Sequence, residues 1–379
     1  MTLDELKRQE ELLSNELQSL DNEQMAYKIL INSLYGCMAN KYFRGFDIRL
    51  ASSITDTGRR CIKYIGEFVN NTLKDILVCE GIENPTNLLV YIDTDSNYFT
   101  VEQFVDLYYK DGRPDDYREV SKFIDKFYKK VIDPIVEQAI VNLGEEFNAS
   151  DIHEEHNYFS MDREVIGDFG FWEKKKAYCV RVWDKDGFLY DTPKLKKMGM
   201  RMVKRNVPIL VKKEMSGVMD LIMDNQRDEV SKKNMEFKKV FMGSNVLDIS
   251  EIKPANNIEK YTDIYVGGKF GPHTPAHVRA SIRYNELVRK FHLEDKYDLI
   301  NDGDMIKYIN LKMPNLAKLK YIAVPLNGSV PKEFKLDKLY DYNTMFERLF
   351  TNNIKSLTEI LDWEFGTRKK LTNLFKDFI

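Results

Sequence analysis

The sharpest local feature of the 379-residue sequence is a pair of carboxylates, Asp93 and Asp95, in Asp93-Thr94-Asp95-Ser96. Apolar, β-rich runs flank it, Leu88 to Ile92 before and Asn97 to Val101 after, which is the pattern of a hairpin. Strand side chains alternate between faces, so residues two apart project to the same side. Two carboxylates held that way repel one another unless a cation lies between them. Mg²⁺ suits such a pair, being hard, oxygen-seeking and content with one or two protein carboxylates plus substrate phosphates. Two such ions about 4 Å apart clamp an in-line phosphoryl displacement. The other reading of these four residues is an ordinary Asx-rich turn.

Lys28, Asn32 and Tyr35 form a second constellation, spaced i, i+4, i+7 and so sharing one helix face. A lysine there meets a triphosphate as a point charge. Tyr35 beside Gly36 offers a flat ring with room for a base or sugar. Taken singly, each of the three is equally well explained by packing or capping. The third feature is a basic block. Residues 172–213 hold thirteen Lys and Arg against four Asp and Glu, within a chain whose net charge is −3. Such segregation is an electrostatic footprint for a polyanion, although a charge run by itself more often marks a solvated face. Interleaved Trp172, Tyr178, Trp183 and Tyr190 add flat rings suited to sugars and bases.

The elements that must position these residues are legible in outline. Thr2-Leu3-Asp4-Glu5 has the form of a capping box, and Leu6, Leu13, Leu17 and Leu20 recur at helical spacing. Asp21-Asn22 reads as a break and cap before a second helix over 22–38, giving a helical hairpin across 1–39. So little apolar surface makes no core of its own, and the arm must lean on something else. Residues 40–80 read as helix, with Ile54, Cys61, Ile62, Ile65, Phe68 and Val69 on one side, and 117–147 as amphipathic helix. A strand is expected around Ser160 to Ile166, and a second hairpin around Asp184-Lys185-Asp186-Gly187. From about 200 onward helices dominate, interrupted by the Gly/Pro-rich stretch 266–272, which places a boundary near 199. The fold class expected is α+β.

Composition bounds the alternatives. Apolar residues are 43% and charged residues 31%, a globular balance, with no run approaching a transmembrane helix. The charged N-terminus is no secretory signal. Cys37, Cys61, Cys79 and Cys179 share no CxxC spacing, which argues against a disulfide framework or thiolate zinc site. His153-Glu-Glu-His156 and the His273/His277 pair lack a cysteine partner or third histidine for zinc. Met198, Met200, Met202 and Met215 read as packing rather than ligands.

Together the motifs resemble a known family. Lys28-Ile-Leu-Ile-Asn32-Ser33-Leu34-Tyr35-Gly36 resembles the K-x3-N-S-x-Y-G fingers motif of family B DNA polymerases, and Tyr91 to Ser96 resembles their DTDS metal-binding hairpin. Lys175-Lys176-Ala177-Tyr178 resembles the KKxY element that grips primer–template. Ser160-Met161-Asp162-Arg163-Glu164, Lys197-Met198-Gly199-Met200 and His277-Val-Arg279 are similar to segments of the T-even-like bacteriophage members. Order and spacing agree from about residue 20 to the C-terminus. The resemblance implies a partial fingers arm at 1–39, a palm of antiparallel sheet and backing helices at 40–199, and a mainly helical thumb at 200–379.

It also implies roles. Asp95 would ligate a pair of Mg²⁺ ions, with Asp93 tuning the coordination and Glu164 a third nearby carboxylate. Lys28 and Asn32 would face the incoming dNTP and Tyr35 the nascent base pair. Lys175, Lys176 and Tyr178 would hold the primer–template duplex, with Asp184 behind them and Lys197, Gly199, His277 and Arg279 in the same DNA-binding set. Leu371, Leu374 and Phe375 resemble a tail that docks a sliding clamp, an apolar triplet on a terminal turn being able to plug a pocket. The setting implied is a viral replication complex in the cytoplasm of the host cell.

Departures from the pattern shape the reading. Ala177 stands where a basic residue is common. The first palm motif, D-x-x-S-L-Y-P, is nowhere in the sequence, and segments resembling the proofreading exonuclease and the first fingers helix are missing too. Met1 with its helix cap reads as a natural start. The expectation is therefore the C-terminal subunit of a split polymerase, an N-terminal polymerase/exonuclease subunit bringing the missing Asp. Asp93 and Asp95 without a third strong ligand hold Mg²⁺ weakly, and an uncovered palm edge is an aggregation liability. Both point to a large, partly apolar interface. The alternative is a non-catalytic DNA-binding or clamp-tethering subunit. A reverse-transcriptase-like enzyme also pairs Asp residues at a hairpin but fits the fingers motif less well, and a degenerate structural protein has no use for the intact set.

Overall fold

The computed structural model describes residues 3–149, 159–263, 265, 269–315 and 318–363. The fold is α+β and divides into two compact units, Met1–Ile166 with Trp183–Thr192, and Gly167–Val182 with Pro193–Ile379.

The first unit begins with α1, Leu3–Met38, a single helix of 36 residues. The break read at Asp21-Asn22 does not occur, so 1–39 is not a two-helix hairpin. Neither residue has glycine's backbone freedom or proline's missing N–H, and a cap residue starts a helix only where the chain turns. At 1.5 Å per residue α1 is about 54 Å long. Helix α2 (Ile48–Cys79) starts at Asp47, whose carboxylate accepts from the backbone N–H of Arg49 and Leu50. Its Ile65, Val69, Leu73 and Leu77 pack with Val136, Ala139, Ile140 and Leu143 of α5 (Asp133–Glu146) to form the unit's main core. Leu88 and Phe104 close that core from the side of β1 (Leu89–Asp93) and α3 (Glu102–Tyr108). Strand β1 pairs antiparallel with β2 (Ser96–Phe99), Ile92 opposite Asn97 and Asp93 opposite Ser96. The helical stretch expected over 117–147 is α4 (Tyr117–Phe127) running into α5 through a widened π turn, Tyr128–Ile132, just ahead of Pro134. Proline cannot donate to the preceding turn, and widening is one way for the chain to stay helical past it.

Strands β3 (Val165–Lys174), β4 (Ala177–Lys185) and β5 (Phe188–Met198) form one sheet in that order, each contributing residues to both units. The β4–β5 hairpin turns at Asp186-Gly187, both with positive φ, the backbone a two-residue type I′ turn demands. The strand expected around Ser160–Ile166 starts only at Val165. Ahead of it Arg163 turns inward to carboxylates, and side-chain pairing replaces the ladder.

In the second unit the helices α6 (Ile209–Met223), α7 (Arg227–Gly243), α8 (Ile258–Asp263), α9 (Ala276–Lys290), α10 (Tyr342–Phe346) and α11 (Asn352–Glu359) are joined by an antiparallel sheet the sequence reading did not include. Its strands are β6 (Glu251–Pro254), β7 (Met305–Asn310) and β8 (Tyr321–Pro325). Helix α9 covers the sheet, and Val278, Ile282, Tyr284 and Val288 share its core with Ile306, Ile322, Ala323 and Val324. A cluster of Phe237, Phe241, Phe346 and Phe350, ring centroids 4.6–5.9 Å apart, ties α7 to α10. Among the described residues no helix is long and apolar enough to cross a membrane.

Candidate active site and nucleic-acid interface

The hairpin bearing Asp93 and Asp95 is fixed to α2 by two asparagines. Asn70, 8% exposed, accepts from the backbone N–H of Leu88 and of Leu89, each at 3.0 Å. Asn97 donates from Nδ2 to the carbonyl of Ile62 at 3.2 Å. Gly66 makes the approach possible, since a β-carbon there would stand 3.0 Å from Asn97 Oδ1. Across the open end, Thr100 N–H donates to Leu88 O at 2.8 Å.

At the tip, Asp93 is the last residue of β1, and Thr94 and Asp95 make the turn. Asp95 N–H donates to Asp93 O at 2.6 Å around Thr94, whose φ is +53°. A three-residue turn closed around a positive-φ, β-branched residue is rare and strained. Asp95 therefore leaves the strand, and the alternation of strand side chains does not set its direction. Turn geometry does. Asp95 is exposed and Asp93 half-buried, with Thr94 Oγ1 donating to Asp93 Oδ1 at 3.3 Å and Ser96 Oγ to its carbonyl at 3.2 Å. The donor set, hard carboxylate oxygens on a rigid tip, fits Mg²⁺. Among the described residues no three His, Cys, Asp or Glu side chains gather as a metal cluster.

Glu164, exposed, precedes β3, and its carbonyl accepts from Asp186 N–H at 2.8 Å. Its neighbour Arg163, not singled out from the sequence, reaches Asp125 of α4 at 2.8 Å and Asp184 of β4 at 2.5 Å. Lys129 pairs with Asp125 at 2.7 Å, making a balanced quartet of charges. Burial works to raise the Asp125 carboxyl, but Lys129 and Arg163 outweigh it and hold the group below the usual carboxylate range. Asp184, 6% exposed, also accepts from Gly187 N–H at 3.0 Å, so it shapes the β4–β5 turn from inside. On α1, Lys28, Asn32 and Tyr35 share one face and are all exposed.

In the second unit Lys175 and Lys176 form the exposed turn between β3 and β4, Lys176 having a φ of +61°. Gly199, at +60°, lies against that turn. A β-carbon on it would overlap the Lys176 carbonyl oxygen. Tyr178, unlike the lysines, is buried and stacks with Trp172, centroids 6.4 Å apart. Lys197 Nζ donates to Ser216 Oγ at 2.9 Å. Arg279 is turned to its own loop, donating to Thr274 O at 2.8 Å, and His277 is pushed below its ordinary pKa by burial and the nearby Lys253. Arg181 of β4 bridges Asp168 of β3, at 2.8 Å, and Asp224 after α6, at 2.5 Å. Leu371, Leu374 and Phe375, like His153 and His156, lie outside the described residues.

Comparison with known proteins follows the same residues. Residues 4–107 match the model of DNA polymerase family B, a span that includes both the Lys28–Tyr35 helix face and the Asp93–Asp95 hairpin. The chain carries a family B DNA polymerase region of the T4-like kind. It is 30% identical over 362 residues to the DNA-directed DNA polymerase of Escherichia phage RB69, covering 93% of this chain and 38% of that protein. To the DNA-directed DNA polymerase of Enterobacteria phage T4 it is 30% identical over 365 residues, 94% of this chain and 39% of the relative. A DNA polymerase of Pyramimonas orientalis virus is 28% identical over 209 residues, 55% of this chain and 14% of the relative. The chain thus spans about two fifths of the length of the two phage polymerases.

Proposed function

We propose that this chain forms the C-terminal part of a DNA-directed DNA polymerase, with fingers at 1–39, palm at 40–199 and thumb at 200–379, adding dNTPs to a primer 3′-hydroxyl. The observation that carries the reading is the hairpin of Asp93 and Asp95. It is pinned to α2 by Asn70 and Asn97, closed on a strained turn, and lies inside the span that matches family B. Asp95 and Asp93 hold Mg²⁺, and Glu164 is a further carboxylate of the centre. Lys28 and Asn32 meet the nucleotide's phosphates, and Tyr35 flanks the forming base pair. Lys175, Lys176 and Lys197 grip the duplex. Magnesium, when bound, neutralises charge at the entering and leaving oxygens, and the protein contributes position.

The other principal palm aspartate comes from a second polypeptide, which also holds the exonuclease. Support comes from α1, whose Leu13, Leu17, Leu20, Ile31 and Leu34 are 57–69% exposed, an apolar surface that asks for a cover. The tail at 371–375 docks a sliding clamp, and the assembly works in the cytoplasm of the host cell. The test is reconstitution with an N-terminal polymerase fragment. Asp95→Asn is expected to abolish primer extension while leaving duplex affinity unchanged. Extension by this chain alone would refute the shared centre, and an assembled complex that binds duplex without extending it would leave only a tethering role.

A further inference from the structure

The second unit contains a concentration of positive charge that neither motif explains. Glu251 on β6 is 3% exposed; it accepts hydrogen bonds from Arg201 at 3.1 Å and Asn206 at 3.0 Å and forms ion pairs with Arg348 at 3.2 Å and Lys253 at 3.5 Å. One carboxylate thus answers three cations. The Tyr308 ring lies beneath two of them, Arg348 at 5.0 Å and Lys253 at 5.6 Å from its centroid. Nε of Arg201 and Nε of Arg348 are buried with no hydrogen-bond partner among the described residues. Those nitrogens are sealed from solvent, but three cations around one carboxylate leave the cluster short of countercharge, a cost that an anion at its accessible atoms offsets. The side chains of Arg201, Lys253 and Arg348 keep 26%, 30% and 34% of their surface accessible, so an anion can reach the cluster.

We propose that Arg201, Lys253 and Arg348, assembled around Glu251, form a subsite for one phosphodiester of a DNA backbone. A singly charged diester matches the cluster, supplying charge and paired acceptor oxygens to planar guanidinium forks. Glu251 holds the cations apart and oriented, and Tyr308 fixes the plane on which Arg348 lies. Only Arg201 belongs to the basic block of the sequence. Lys253 and Arg348 stand about fifty and about one hundred and fifty residues further on, and the fold brings them to it. The inference rests on the duplex-binding reading above, and the test separates the two.

Binding of a labelled primer–template duplex is measured by anisotropy over a range of NaCl for the full chain, Arg348→Met, Lys253→Met and a Lys175→Met/Lys176→Met double variant. Each subsite variant is expected to lower the slope of log affinity against log salt by about one and to weaken binding at low salt, measured well below its own melting temperature. Lys253→Met, which leaves both arginines on Glu251, keeps the test decisive if Arg348→Met does not fold. Slopes equal to wild type in both variants, with the Lys175/Lys176 variant reduced, would overturn the subsite and leave the duplex reading intact. A wild-type chain that binds no duplex would overturn both. Binding in phosphate and chloride at matched ionic strength is expected to be equal. A specific loss in phosphate, absent from Arg348→Met, would assign the cluster to free phosphate and overturn the diester.

Discussion

Gly199 lies against the carbonyl oxygen of Lys176 so closely that a β-carbon would overlap it, and both residues have a left-handed backbone, φ +60° and +61°. The lysine turn is therefore moulded by the segment after β5, and in the proposed duplex grip Gly199 has a positioning part. Gly199→Ala adds a side chain where φ is positive, costing about 1 kcal/mol or more, and forces the turn outward. Expected is a lower melting temperature with duplex affinity reduced about as far as in Lys175→Met/Lys176→Met. Wild-type affinity and melting in Gly199→Ala would remove this account of the turn.

Asn70 offers a direct test of how the aspartate hairpin is held. Its one side-chain oxygen satisfies two backbone N–H groups, those of Leu88 and Leu89, in a buried place. Asn70→Ala strands both donors, and unsatisfied buried groups cost about 1–3 kcal/mol each. A loss of roughly 3 kcal/mol in denaturant unfolding is expected, with hydrogen exchange fastest at Leu88 and Leu89. A loss below half a kcal/mol would mean that the hairpin is held some other way.

The charge quartet of Lys129, Asp125, Arg163 and Asp184 predicts an acid dependence. The Asp125 carboxyl sits below its ordinary 3.8, burial opposing and the two cations prevailing. A carboxylate depressed on folding contributes stability that is present above its unfolded value and lost as pH falls through the folded one. Arg163→Met, which breaks a largely buried pair, is expected to destabilise by about 3 kcal/mol at pH 7. The gap between variant and wild type should narrow once pH drops below 3.8. A gap constant from pH 7 to pH 2 would show that Arg163 acts by packing alone.

How much of this was legible follows from what kind of signal each feature leaves. The hairpin at Asp93–Asp95 and the turn at Asp186-Gly187 were readable because strand period and turn chemistry are local. The strands Met305–Asn310 and Tyr321–Pro325 were not, since short apolar runs do not distinguish a buried strand from a buried helix. Helix α1 was over-divided because Asp21-Asn22 has the residue types of a cap without the chain reversal that makes one. The same limit governs the site. Lys28 and Tyr35 carry a helical spacing, whereas Asn70, Arg163 and Arg348 earn their places from partners 18 or more residues away, which no window along the chain contains. Tyr178 is a different case, its type suggesting an aromatic platform while the fold buries it against Trp172.

Cysteine reactivity checks the second unit's fold without reference to function. Cys179 on β4 has no exposed surface, and burial pushes its thiol up to about 12. Cys79, at the end of α2, is exposed. Thiolate is the reactive form, so a buried thiol with a raised pKa is inert at neutral pH. In the native chain Cys79 is expected to label within minutes by a maleimide and Cys179 only on the timescale of unfolding, as peptide mapping would show. Denaturant should bring Cys179 to the rate of Cys79 in step with loss of helical signal. Rapid labelling of Cys179 under native conditions would mean that β4 does not lie in the buried core of the second unit.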